Sequence, residues 1–229
     1  MKHIFKKGTD EAKPTLLLLH GTGGTEQDLL PVADMIDSSC SVLSVRGNVL
    51  ENGMPRFFRR LQEGIFDVED LIERTKELHQ FLDEAAETYS FDRSNIVAVG
   101  YSNGANIAGS LLFHYENSLK GAALLHPMVP RRGIEVPKTD VSIFIGAGTN
   151  DPICPASETE ELSALLEEAG ADVQVHWESF GHQLTRTEIE AAEKWYGQNF
   201  NLKTFRTLAG SFLFLKNNDS YHTKDRYKW

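Results

Sequence analysis

The stretch VAVGYSNGAN, residues 97–106, places a serine between two glycines directly after an apolar run. The apolar run predicts the end of a buried strand, and the residues after the serine have helical periodicity. A serine at such a junction is typical of a nucleophile elbow, a turn so sharp that the Ser102 hydroxyl stands clear of the backbone. Gly100 and Gly104 fit this turn, because side chains at the flanking positions would collide. An ordinary turn with a solvent-facing serine is the alternative.

The composition is that of a globular protein with a large core. Of 229 residues, 41% are hydrophobic and 24% are charged, and the net charge is −10. This charge argues against partners such as nucleic acids or anionic membranes. Two cysteines, Cys40 and Cys154, are too few to indicate a disulfide framework or a metal knuckle. The N-terminal run of four leucines is too short for a signal-peptide core, so we expect a cytoplasmic protein without stable membrane association.

Strand-like and helix-like segments alternate from residue 15 onward. Apolar runs predict strands over Thr15–Leu19, Ser41–Val45, Asn95–Gly100, Gly121–Leu125, Val141–Gly146 and Asp172–Trp177. Helical periodicity covers Leu29–Ile36, Val68–Tyr89, Asn103–His114, Ser157–Ala169 and Thr185–Gln198. Continuous apolar strands separated by helices predict an α/β protein with a mostly parallel sheet and helices on both faces.

The pattern predicts one domain over residues 1–200. Residues 201–229 break the alternation and carry six Lys or Arg against two Asp. We interpret them as a C-terminal extension, either an additional docking element or a loosely ordered segment.

An activated serine needs a histidine base, and that base needs an acid to fix its tautomer. In this type of fold the order along the chain is serine, acid, histidine, at the carboxyl ends of strands. The stretches SIFIGAGTNDPICP and VQVHWESFGHQL each carry a strand followed by a turn. Those turns hold Asp151 and His182, so the predicted catalytic residues are Ser102, Asp151 and His182.

Other histidines and acids fit these roles less well. Three histidines lie within predicted helices or strands: His79, His114 and His176. Two acids, Asp140 and Asp172, lie where a predicted strand begins, at the end opposite the site. His126 directly follows a strand and is therefore a candidate to line the substrate site, but it precedes the acid in the chain.

The stretch LLLLHGTGGTEQD, residues 16–28, supplies a strand followed by a glycine-rich turn. Alone, this run is equally typical of a phosphate-binding loop, but it lacks the Lys-Ser/Thr pair of a P-loop and the spacing of a dinucleotide fingerprint. A serine hydrolase needs two backbone N–H groups to receive the oxyanion. We assign them to Thr22 and Asn103, and we interpret His20 as a brace for the loop.

Together, the motifs LLLLHGTGG, GYSNGAN, GTNDPICP and FGHQL resemble those of the phospholipase/carboxylesterase family of α/β-hydrolases, over roughly residues 13–200. This family includes small bacterial carboxylesterases and acyl-protein thioesterases. The resemblance implies an α/β-hydrolase fold without a large cap domain. It also implies a serine hydrolase that forms an acyl-enzyme, with Ser102, Asp151 and His182 as the triad and Thr22 and Asn103 at the oxyanion hole. Neither a metal nor an organic cofactor is required.

The segment MPRFFRRLQEG, residues 54–64, is expected to overhang the site, with Phe57 or Phe58 as an apolar wall. Its arginines, Arg56, Arg59 and Arg60, are expected either to pair with surface acids or to include one that binds an anionic group of the substrate.

Only fifteen residues, 126–140, separate the strand after the nucleophile helix from the acid-bearing strand. This interval is too short for a helical lid, so we expect an open pocket and short-chain esters as substrates. The alternatives are a lysophospholipase, an acyl-protein thioesterase, another enzyme class such as a peptidase or dehalogenase, or a non-catalytic binding protein on the same scaffold. The expected partner is a small-molecule ester, and a homodimer stays open.

Overall fold

The structure, a computed structural model, describes residues 1–201. Its strands are β1 (His3–Lys6), β2 (Thr15–Leu19), β3 (Ser41–Val45), β4 (Val49–Glu51), β5 (Met54–Arg56), β6 (Arg60–Gln62), β7 (Ile65–Phe66), β8 (Ile96–Tyr101), β9 (Gly121–Leu125), β10 (Ser142–Gly148) and β11 (Asp172–Glu178). Its helices are α1 (Leu30–Asp37), α2 (Val68–Tyr89), α3 (Asn103–His114), α4 (Ala156–Ala169) and α5 (Arg186–Phe200). All predicted strands and helices are confirmed, with ends that differ by at most two residues.

Seven strands form one sheet in the order β1-β3-β2-β8-β9-β10-β11. β1 pairs antiparallel with β3, and every other neighbouring pair is parallel. This is the mostly parallel central sheet that the sequence predicts.

Helices cover both faces of the sheet. Successive side chains of a strand point to opposite faces, so a strand that is apolar throughout needs a core on each side. On β2, Leu17 and Leu19 pack into a core with apolar residues of α2, α3 and α4. Leu16 and Leu18 pack into a second core with α1 and α5. All four leucines are fully buried, which explains why this strand is a continuous apolar run rather than an alternating one.

Two short hairpins, β4–β5 and β6–β7, fill the segment between β3 and α2. In residues 126–140 the described chain forms no helix. The expectation of a fold without a large cap is therefore confirmed.

The parallel strands bring their carboxyl ends to one edge of the sheet, where β8, β9, β10 and β11 each run into a turn. That edge carries the candidate site. Across residues 1–201, no helix is both long and apolar enough to cross a bilayer. Beyond residue 201, the predicted C-terminal extension lies outside the described residues.

Candidate active site

Ser102 lies between β8 and α3 in a backbone conformation that side-chain-bearing residues rarely adopt, with φ +51° and ψ −113°. Backbone hydrogen bonds hold it there. Its N–H donates to the carbonyl oxygen of Leu125 at 2.8 Å, and its own carbonyl accepts from the N–H of Asn106 at 3.0 Å. Strain of this kind persists only where the surrounding structure enforces it. The turn has the geometry expected of a nucleophile elbow.

The His182 ring lies beside the Ser102 hydroxyl. Its Nε2 is 2.8 Å from Ser102 Oγ, and its Nδ1 is 2.7 Å from Asp151 Oδ2. Because an ionised carboxylate only accepts hydrogen bonds, Nδ1 carries the proton and Nε2 is free to accept one from the serine. The hydroxyl of Tyr101 donates to the His182 carbonyl oxygen at 2.5 Å and fixes the turn that carries the ring.

Asp151 follows β10 and is buried, and both its oxygens accept hydrogen bonds. Oδ1 accepts from the N–H groups of Ile153 (2.8 Å) and Cys154 (2.9 Å), and Oδ2 accepts from His182 and from Nδ1 of His126 at 2.9 Å. Burial acts to raise the pKa of Asp151, but these donors outweigh it and lower the pKa below its ordinary value. Asp151 is therefore an anion at neutral pH.

The two residues assigned to the oxyanion hole lie at the edge of the same cavity as Ser102. Asn103 is the first residue of α3, a position whose N–H has no partner within the helix. Its side-chain oxygen accepts from the N–H of Phe57 at 2.7 Å. The Thr22 hydroxyl accepts from Arg56 at 2.6 Å. These contacts position both residues, and their role as oxyanion donors stays a prediction.

His20 braces the loop that carries Thr22, as the sequence predicts. Its Nε2 accepts from the N–H of Gly47 at 3.0 Å, and its Nδ1 lies 2.6 Å from the carbonyl oxygen of Gly21. Burial lowers the pKa of His20. It is therefore a neutral structural group rather than a proton carrier.

A cavity of about 270 Å³ opens in front of Ser102 and His182. Phe66, Met128 and Ile153 contribute apolar wall to it. A second hollow, of about 410 Å³, adjoins this cavity and shares Phe66 and Met128 with it.

The prediction that Phe57 or Phe58 forms an apolar wall of the site is wrong. Both side chains are buried in the core and neither lines the cavity, where Phe66 takes that place. Phe57 packs against the His20 ring, and Phe58 packs edge-on against Phe66, so the two support the site from beneath.

Arg59 is also absent from the cavity lining. Its side chain is directed to the acids that begin α2, at 3.2 Å from Asp67 and 3.6 Å from Asp70. Arg56 and Arg60 do line the cavity. Both are paired with Glu51, at 3.4 and 2.9 Å, which fits the first of the two expected alternatives. That one of them binds an anionic group of the substrate stays a prediction.

His126, expected to contact the substrate, lies behind Asp151 instead. It is 3% exposed, does not line the cavity, and has its Nε2 3.4 Å from Glu188. Glu188 and Tyr101 are two residues of this site that the sequence did not reveal. Glu188 lies three residues after Thr185, the N-cap of α5, which is the spacing of a capping box. From the sequence alone, helix capping would therefore be a sufficient explanation for Glu188.

Within residues 1–201, one group of potential metal-binding side chains lies close enough together to share an ion: His126, Asp151 and His182. These side chains are already hydrogen-bonded to one another through Asp151 Oδ2. An ion at this position would have to replace those hydrogen bonds. The expectation that no cofactor is required stays a prediction.

Residues 65–224 match the dienelactone hydrolase family. Over 197 residues the chain is 59% identical to MhqD of Bacillus subtilis (strain 168), a protein named as a hydrolase, covering 86% of this chain and 98% of that protein. It is 70% identical to the crystal structure of the Bacillus cereus carboxylesterase, with a TM-score of 0.87 over 87% of this chain and 95% of that one. The structure of YahD with malic acid is 33% identical, with a TM-score of 0.82 over 86% and 98% of the two chains.

Proposed function

The chain belongs to the dienelactone hydrolase family and is an esterase-type hydrolase, and from that premise we propose that it cleaves short-chain carboxylic esters with Ser102, His182 and Asp151 as its catalytic triad. The observation that carries the proposal is the unbroken hydrogen-bond series from Ser102 Oγ through the His182 ring to Asp151 Oδ2, at 2.8 and 2.7 Å. Nucleophile, base and orienting acid each lie within hydrogen-bond reach of the next, which is the geometric requirement of this chemistry.

In the first half of the reaction, Ser102 Oγ attacks the ester carbonyl carbon and its proton passes to Nε2 of His182. The carbonyl oxygen becomes an oxyanion that accepts hydrogen bonds from the N–H groups of Thr22 and Asn103. Asp151, an anion, stabilises the His182 imidazolium. His182 then gives its proton to the leaving alkoxide, the C–O bond breaks, and an alcohol departs from an acyl-serine.

In the second half, water takes the place of the alcohol. His182 removes a proton from the water as it attacks the acyl-serine, and the same two N–H groups bind the oxyanion. The proton then returns from Nε2 to Ser102 Oγ as the acid leaves. The enzyme is restored, and one ester and one water have become an acid and an alcohol.

The second hollow favours another candidate, hydrolysis of longer acyl chains as in a lysophospholipase or acyl-protein thioesterase. It continues the cavity past Phe66 and Met128 along Ile65, Val129 and Pro130, which are apolar. We place this candidate second because Ile65 is about half exposed, so a chain in the hollow would stay in contact with water.

A fluorophosphonate probe combined with p-nitrophenyl butyrate tests the proposal. The protein should be labelled covalently and should hydrolyse the ester. Ser102→Ala should abolish labelling, and Ser102→Ala or His182→Ala should lower turnover by several orders of magnitude, since triad members act as a unit. Ser157→Ala, at an exposed serine of α4, is the matched control and should keep both. Equal labelling of the wild type and Ser102→Ala would contradict the proposal.

A further inference from the structure

A buried histidine and a buried glutamate lie behind the Asp151 carboxylate. His126 is 3% exposed and Glu188 is 1% exposed. His126 Nδ1 is 2.9 Å from Asp151 Oδ2, the same oxygen that accepts from His182, and His126 Nε2 is 3.4 Å from Glu188 Oε2. The His126 ring thus lies between two carboxylates, one on each ring nitrogen.

Helix capping does not account for Glu188. In a capping box, a glutamate three residues after the N-cap accepts a hydrogen bond from the N-cap N–H. Thr185 caps α5 and accepts from the N–H of Glu188 at 3.1 Å, but the reciprocal bond is missing. Among residues 1–201, neither Glu188 side-chain oxygen has a partner within hydrogen-bond geometry.

The fold makes room for Glu188 beside His126. A Cβ atom at Gly146 of β10 would lie 2.8 Å from Glu188 Cδ, so a side chain at residue 146 would displace the Glu188 carboxylate from its present position. A buried carboxylate without hydrogen bonds is costly unless an opposite charge lies next to it. In the described part of the chain, the ion-pair partner of Glu188 is His126.

The backbone of His126 is as constrained as its side chain. Its φ of +55° lies in the left-handed region, and its N–H donates to the Gly146 carbonyl oxygen at 2.7 Å. This hydrogen bond to β10 helps to hold His126 in a strained conformation, of a kind that is common at functional sites.

Four titratable groups face the His126 ring, and a fifth contacts its backbone. Two are the carboxylates of Asp151 and Glu188, and a third is the ring of His182, 5.1 Å away between ring centres. Tyr101 packs edge-on against it at 6.0 Å, and the Cys154 thiol lies 3.4 Å from its carbonyl oxygen. Burial raises the pKa of Tyr101 to about 12 and also raises the pKa of Cys154, so both are neutral at physiological pH.

These surroundings favour a positive charge on His126. Burial acts to lower the pKa of His126, but Glu188 and Asp151 outweigh it and raise the pKa above its ordinary value. An imidazolium also suits the placement of the two carboxylates, since it carries an N–H on each ring nitrogen, whereas a neutral ring carries only one.

We propose that His126 and Glu188 are positioning residues of the triad: the His126 imidazolium, held by Glu188, shares Asp151 Oδ2 with His182 and limits the negative charge that Asp151 offers to His182. The inference rests on the proposed function. Without the His126 charge, Asp151 would hold a proton on His182 more strongly. His182 would then be protonated, and unable to act as base, up to a higher pH.

The main test is the pH profile of kcat/KM for p-nitrophenyl butyrate in the His126→Asn/Glu188→Gln variant. Asparagine tolerates the left-handed backbone and keeps an N–H₂ donor near Asp151, while the second change avoids an unpaired buried carboxylate. The acid limb should move to higher pH by about one unit. His79→Asn, at a histidine of α2 away from the site, should leave the limb in place. A uniform loss at all pH values, an unmoved limb or a move to lower pH would overturn the proposal.

A second measurement does not depend on activity. The ¹⁵N NMR signals of the His126 ring should report two N–H groups at pH 7 in the wild type, and Glu188→Gln should move the His126 titration to lower pH. A ring with a single N–H at pH 7 would overturn the proposal even if Ser102-dependent hydrolysis is found. Conversely, failure of Ser102-dependent hydrolysis would contradict the proposed function, whatever the charge of His126.

Discussion

The carbonyl oxygen of Leu19, at the end of β2, occupies the space that a side chain on Gly104 would need. A Cβ atom at residue 104 would overlap that oxygen and would lie 2.6 Å from the carbonyl oxygen of His20. Gly104 is in the first turn of α3, directly after Ser102 and Asn103. The elbow therefore depends on backbone contact between α3 and β2, as the collision argument from the sequence predicts.

We expect Gly104→Ala to lower the free energy of unfolding by about 3 kcal/mol, because the added methyl group overpacks a contact between backbone atoms that cannot rotate away. Urea unfolding measures this change. Gly197→Ala is the matched control: no atom lies within 4 Å of its added Cβ, and it lies inside α5, so alanine should stabilise by about 0.5–1 kcal/mol. Equal stability of the two variants would contradict the close approach at residue 104.

Asp151 is the proposed acid that orients His182. Asp151→Asn should keep the fold but lower kcat by on the order of a thousandfold or more, because an amide cannot stabilise the His182 imidazolium or fix its tautomer. Asp172→Asn is the control, since Asp172 begins β11 at the opposite end of the sheet and is exposed. Steady-state kinetics on p-nitrophenyl butyrate decides between them. A larger loss of kcat in Asp172→Asn would show that the catalytic acid lies at the other end of the sheet and that its assignment to Asp151 is wrong.

The sheet and the site-bearing turns could be predicted because their signals are local. Each central strand is buried on both faces and is therefore a continuous apolar run. Strand β1 was not predicted, since its four residues are only partly buried and its conformation depends on pairing with β3. Hairpin β4–β5 had a usable signal: Asn52 and Gly53 both adopt positive φ, as an Asn-Gly hairpin turn requires.

The residues around the proposed triad were harder to place, because their positions depend on contacts between distant segments. Nothing local separates Phe57 and Phe58, which enter the core, from Phe66, which lines the cavity. Glu188 reaches His126 only because α5 packs over β10. Such a contact is a property of the assembled fold.

The third prediction is the pH dependence of stability that follows from the raised pKa of His126. Between about pH 6.5, the ordinary value for a histidine, and the higher folded value, the folded protein holds a proton that the unfolded chain does not. The stabilisation is fully present below about pH 6.5 and is lost as pH rises through the folded pKa. The difference in unfolding free energy between the wild type and His126→Asn/Glu188→Gln should therefore shrink from pH 6 to pH 9.

Urea unfolding at pH 6, 7, 8 and 9 measures this difference. His79→Asn is the control, because burial lowers the pKa of His79. The contribution of His79 to the free energy of unfolding should therefore increase as pH rises towards 6.5, which is the opposite direction to that of His126. A difference for the His126 pair that stayed constant or widened towards pH 9 would count against a protonated His126.

The last prediction concerns the length of the acyl chain. In a closed apolar tunnel each buried methylene contributes about 0.8 kcal/mol, so kcat/KM would rise roughly fourfold per methylene. The cavity at Ser102 has only about 270 Å³, and the hollow beyond it is bordered by Ile65 and Val68, which are 47% and 41% exposed. We therefore expect p-nitrophenyl acetate or butyrate to be preferred over octanoate and palmitate, without activation at a lipid–water interface. Val68→Lys, which places a charge in the outer hollow alone, should leave the octanoate-to-acetate ratio of kcat/KM unchanged. A steady climb from acetate to palmitate, lost in Val68→Lys, would instead identify the hollow as an acyl site and favour the lysophospholipase or thioesterase alternative.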